Sequence, residues 1–214
     1  ASHPRVKTAT PLAFGDSFEG APVVGTTAAF IEHLAGGELE GRMFAGIEEA
    51  VVGALIDLPI GGEFEPSHGV GDAVEGGHGF HIKVVGRMPP TGSPWDRALI
   101  VPVESVWDTH GLANGHAPGA THLGAPFDPE YFPGTPSIIV EADSLAGNYQ
   151  LQSQFTRDLE TMALFPGAVL SNLYRLMGDI RHAMSIMALA SNTPVAPSIP
   201  LSFFTPHAWV PRPP

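Results

Sequence analysis

The stretch from His81 to His110, HIKVVGRMPPTGSPWDRALIVPVESVWDTH, constrains the fold most. Ile82, Val84 and Val85 form one apolar run, and Ala98-Leu99-Ile100-Val101-Pro102-Val103 a second. Between them, Pro89-Pro90-Thr91-Gly92-Ser93-Pro94 concentrates strong turn formers. Short apolar runs bounded in this way read as strands. Pro102 lacks a ladder donor, so its strand lies at an edge or ends there. Glu104-Ser105-Val106-Trp107 then opens a short helix. Asp96 or Arg97 is expected to fix the turn by bonding to backbone groups.

The same grammar extends over the chain. Residues 5 to 14, RVKTATPLAF, read as an opening strand that ends at Pro11, and Gly15 to Gly20 as a polar turn. APVVG, Ala21 to Gly25, is a short buried strand. Thr26 or Thr27 caps a helix over Ala28 to Leu34, which Gly36-Gly37 stops. Glu48 and Glu49, adjacent in sequence, read as carboxylates that point apart on a helix as solvated surface. SIIVEA, Ser137 to Ala142, reads as a further buried strand, followed by a helix from about Leu145 to Met162. Ala168 to Ala190 is a long amphipathic helix. Val169, Leu173, Leu176, Ile180, Met184 and Met187 fall near one stripe, and Met184 to Ala190 is apolar on nearly all sides. Strands and helices alternating with glycine-rich turns predict an α+β fold. The prolines after Ser191 end the last helix.

Composition narrows the function classes. The 214 residues suffice for one large domain or two small subdomains sharing a core. A net charge of -12 disfavours nucleic acid and anionic lipid headgroups as partners and favours cations. There is no cysteine, which excludes disulfides, thiolate metal sites and a cysteine nucleophile. No run of about 20 apolar residues spans a bilayer, and the N-terminus lacks a basic then apolar leader pattern. G-x-S-x-G, H-E-x-x-H and a phosphate-cradling loop are all missing. The expectation is a protein that is not an enzyme.

KVVGRMPPTGSPWDRALIVPVESVW resembles the late part of the extracytoplasmic core domain of MacB/FtsX-type ABC transporter permeases. VVGTTAAFIEHL, LEGRMF at Leu39 to Phe44, EAVVGALI at Glu49 to Ile56, which resembles the family's next strand and helix start, LPIGGEFEP at Leu58 to Pro66 and PSIIVEADSLAGNYQLQSQF keep the family's order. The resemblance covers roughly residues 5 to 190. It implies a MacB-like periplasmic core domain over 1–191, excised from between its transmembrane helices. A membrane-proximal part is made of about 1–60 and 137–191, and the inserted part of about 61–136. Residues 192–214 depart from the family as a Pro-rich tail. The resemblance further implies a site on the periplasmic side of the bacterial inner membrane and a homodimeric transporter. ATP hydrolysis belongs to a separate cytoplasmic subunit, and a periplasmic protein or substrate is contacted. The domain's work is then mechanical. Leu173, Leu176, Ile180, Met184 and Met187 lie on the helix that couples it to the membrane. No cofactor is required.

A second reading is a periplasmic zinc- or metal-binding protein that uses loop histidines. Ten histidines are many for this length. His68, His78 and His81 flank the Gly-rich segment Ser67 to Gly79. His110, His116 and His122 flank a second irregular stretch, Gly111 to Phe132. Imidazole suits zinc and its neighbours, and Asp72, Glu75, Asp108 and Asp128 lie nearby. His33 and His182, on helices, read as packed or surface residues. Resemblance to zinc-associated members of the permease family implies that both readings can hold together.

Overall fold

The computed structural model of the chain describes residues 3–68 and 79–191, with side chains up to 188. Its elements run β1 (Val6–Phe18), β2 (Ala21–Thr26), α1 (Ala28–Ala35), β3 (Glu40–Gly41), β4 (Glu49–Val52), β5 (Glu63–Phe64), β6 (Ser67–His68) and β7 (Ile82–Arg87). A 3-10 turn at Pro94–Arg97 precedes β8 (Leu99–Pro102) and α2 (Val103–Thr109). β9 (Ser137–Ala142), α3 (Leu145–Phe155) and α4 (Pro166–Ser191) follow. The segment 69–78 and the Pro-rich 192–214 lie outside the described residues.

The strands form a mixed sheet in the order β3-β7-β4-β8-β2-β1-β6, with β5 on β7 and β9 on β1. β2 runs parallel to β8, and β4 parallel to β7, while the other pairs are antiparallel. Successive side chains of a strand point to opposite faces, and here both faces are covered. Val24, Val51, Val85 and Ile100 pack with Ile31 and Ala35 of α1. Val23, Val52, Val84, Leu99 and Val101 form the opposite layer with Phe64 and Ile82. The apolar dipeptides of β2, β4 and β8 thus serve two layers, as strands buried on both faces do. A third cluster seats Trp107 of α2 among Phe127, Phe132 and Ala13.

The chain forms two compact units, residues 1–154 and 155–214. The sheet with α1 and α2 lies in the first, and α4 in the second. Every residue of the three core clusters belongs to the first unit. No described helix is long and apolar enough to cross a membrane.

The strand–turn–strand–helix reading of His81 to His110 matches β7, the 3-10 turn, β8 and α2, and Pro102 is the last residue of its strand. Asp96 fixes the turn as expected. Its carboxylate accepts from Thr91 N–H at 2.8 Å, Thr91 Oγ1 at 2.6 Å and Gly92 N–H at 2.9 Å. The Thr91 hydroxyl first, then these backbone donors, hold its pKa below the usual carboxylate range.

Other expectations change. β1 does not stop at Pro11 but runs to Phe18. Pro11 opposes Ile138 of β9, and its carbonyl accepts from Thr26 Oγ1 at 3.1 Å. No helix begins within 53–56. That loop is pinned instead by Arg87, whose guanidinium donates to the carbonyls of Gly53, Ala54, Ile56 and Leu58. Glu49 lies on β4 rather than a helix and binds Arg42 through both oxygens. β9 is not buried: Ile138 is 53%, Ile139 37% and Val140 44% exposed. Its one strand partner among the described residues is β1, so its continuous apolar run gains no cover. α3 ends at Phe155, short of Met162.

Candidate functional site

Two histidine clusters are built around α2. The first begins with β1, which carries a register shift between Phe14 and Asp16. A bulge re-aims the side chains beyond it, and Asp16 and Ser17 are consecutive yet both buried. Asp16 opposes Val23 on one side and His68 on the other. His68 Nδ1 lies 3.0 Å from Asp16 Oδ1, with the Asp16 side chain 4% exposed. His110 caps the C-terminus of α2. Its Nδ1 is 2.7 Å from the Val106 carbonyl, and its Nε2 is 3.9 Å from the same Asp16 oxygen. A carbonyl only accepts, so Nδ1 carries a proton in this contact. The rings of His68 and His110 lie 5.2 Å apart. One donor atom from each of Asp16, His68 and His110 falls within 4.8 Å of the other two.

The second cluster starts from Glu104, 2% exposed in the first turn of α2. Its Oε1 accepts from Gly124 N–H at 2.5 Å and lies 3.0 Å from His116 Nε2. Its Oε2 has no hydrogen-bond partner among the described residues. His116 is 5% exposed, and the exposed His122 ring meets it edge-on at 4.3 Å. His122 Nε2 approaches the Pro126 carbonyl at 3.3 Å. These side chains, with Asn114 and Thr121, line a cavity of about 230 Å³. A buried carboxylate needs partners. Here a peptide N–H and an imidazole supply them and tie the 111–136 segment onto α2. Glu104 and His110 sit about 9 Å apart along the helix at 1.5 Å per residue, one cluster toward each end.

The expected histidines therefore do not converge on one site. His68 and His110 meet in the first cluster, and His116 and His122 in the second. His81 is exposed just before β7 and joins neither. His78, with Asp72 and Glu75, lies outside the described residues. The two acidic members, Asp16 and Glu104, do not stand out in the sequence as partners of these histidines. Asp16 hides in a segment that reads as a polar turn, and Glu104 in the opening of a short helix.

On α4, Leu173, Leu176, Ile180, Met184 and Met187 are 48% to 64% exposed. Leu170, Tyr174, Met177 and Ile186 are exposed as well, so the apolar surface is wider than one stripe.

No family model matches the sequence, and no curated protein matches it. Among solved structures, the chain is similar to the periplasmic region of MacB from Actinobacillus actinomycetemcomitans. The identity is 13% and the TM-score 0.35, covering 90% of this chain and 79% of that one.

Proposed function

We propose that this chain is the extracytoplasmic domain of a MacB/FtsX-type ABC permease, without catalytic activity of its own. The observation that carries the reading is α4, a 26-residue helix whose apolar side chains are exposed on several faces. Burying one large apolar side chain is worth about 1.5–3 kcal/mol, so exposure of this kind asks for a bilayer or a partner. The β1–β9 ladder adds support. It sets Val6 against Ala142, and Arg5 meets Asp143 at 3.1 Å. The two ends of this sheet unit are thus neighbours, as a domain inserted between two membrane-entering segments requires. In this reading both chain ends form the membrane-proximal part. α4 couples it to transmembrane helices, and a separate subunit hydrolyses ATP in the cytoplasm. The full transporter is a homodimer that meets a periplasmic partner or substrate.

These 214 residues hold no cysteine, so a thiol introduced among them reports on this domain when the parent full-length protein is labelled alongside as the blank. Asp57→Cys puts one thiol on an exposed loop. In cells producing the full-length protein, a membrane-impermeant maleimide should label it before the inner membrane is broken, and the product should sediment with membranes. Labelling only after lysis, in the soluble fraction, overturns the reading.

A further inference from the structure

We propose that Asp16, His68 and His110 form a binding site for one divalent ion of the zinc class. The proposal goes beyond the permease reading and does not depend on it. The three side chains come from β1, β6 and the end of α2, elements far apart in sequence. In a tetrahedral zinc site, donors about 2.1 Å from the ion lie about 3.4 Å from one another. Here the two imidazole nitrogens stand 3.0 Å and 3.9 Å from one Asp16 oxygen. That spacing brackets the requirement.

The His110 ring is already set for the task. Its Nδ1–H on the Val106 carbonyl orients the ring and sets Nε2 toward Asp16. Ligating histidines in metal sites are oriented by this kind of outer hydrogen bond. Asp16 is held by the sheet with its side chain 4% exposed, so the anchoring anion needs no ordering on binding.

Donor chemistry selects the ion. Two nitrogens and one oxygen disfavour magnesium and calcium, which take oxygen ligands. Without a thiolate or thioether the set does not suit copper(I). Three protein ligands leave coordination positions for water or an exchangeable group, as in open zinc sites. Bound there, the ion would join β1 and β6 to the end of α2.

The test is zinc titration by calorimetry on the chelator-stripped full chain, paired with thermal melts. One equivalent per chain and a zinc-dependent rise in Tm are expected. Asp16→Asn, His68→Ala and His110→Ala should each weaken binding by at least about ten-fold, the scale at which even outer-shell changes act. His81→Ala and His122→Ala, both at exposed residues outside the site, should leave it unchanged. Cobalt(II) in place of zinc should give visible bands that Asp16→Asn alters. His68 and His110 have side chains 45% and 30% exposed, so their variants keep the test decisive if Asp16→Asn does not fold. Weak binding of several ions, unmoved by the three ligand variants or lost equally with His81→Ala, overturns the proposal.

Discussion

Single side chains in this protein act by holding the backbone of loops. Glu49 is the clearest titrating case. Arg42 grips both of its oxygens, the Ala45 N–H donates to Oε2 at 2.7 Å, and its pKa is lowered from 4.5 to about 2. The Arg42 hydrogen bond is the largest cause. A carboxylate whose folded pKa is depressed adds stability above its unfolded pKa and loses it as the pH falls toward the folded one. The window is therefore from 4.5 down to about 2. Glu49→Gln should lower stability at neutral pH by about 1–2 kcal/mol, allowing for the half-exposed Arg42. It should also flatten the stability loss across that window. Urea melts at neutral pH and through the acid range check both. An acid limb as steep in the variant as in the parent would mean that Glu49 does not govern it. The pairing was not legible in sequence, because Glu48-Glu49 reads as helix surface. Only the alignment of β4 beside β7, which carries Arg42 alongside through β3, places a guanidinium there. Asp96 was legible, since a Thr-Gly-Ser-Pro turn leaves N–H groups that an aspartate two or more residues later is placed to accept.

Elements declared themselves by pattern where burial was two-sided and misled where it was not. VVG, AVV and LIVP are short apolar runs, and all three are interior strands. SIIVEA has the same appearance, yet as β9 it stays exposed, because which strand is covered depends on what packs over it. β1 concealed more. The ring of Pro11 and the glycine at 15 suggest breaks, but a strand with a bulge absorbs both and delivers Asp16 to the histidines. α2 is seven residues long, below the length at which an isolated helix holds in water. Its stability must come from Trp107, 2% exposed, whose ring meets Phe127 at 5.5 Å and Phe132 at 5.4 Å, both edge-on. Trp107→Ala should cost about 3–5 kcal/mol. Since domain stabilities run to about 5–15 kcal/mol, the denaturant midpoint should fall by about a fifth or more. Because α2 carries both Glu104 and His110, the same variant should weaken zinc binding although Trp107 touches no ligand. A midpoint within error of the parent would show that α2 is held by something other than this aromatic cluster.

The whole molecule divides its work unevenly. The sheet unit owns the three core clusters and both histidine clusters. The second unit offers α4, with Leu159 fully exposed and Met162 79% exposed ahead of it. Cooperative folding follows buried apolar surface, so residues 1–154 should fold alone. A chain ending at 154 should melt in one transition within a few degrees of the full chain, a shift that corresponds to about 1 kcal/mol or less. It should keep the zinc response, because Asp16, His68 and His110 all lie within it. What it should lose is the tendency to associate with detergent or vesicles, since the exposed apolar helix goes with 155–214. Light scattering and vesicle flotation of the two chains measure that difference. If the shorter chain is unfolded, then α4 contributes to the core and its apolar face is accounted for inside the domain. The case for a membrane-coupling helix would then lose its physical basis. If the shorter chain folds and no longer floats, α4 is a surface the domain does not need for itself, which is the property a helix that transmits movement to a bilayer should have.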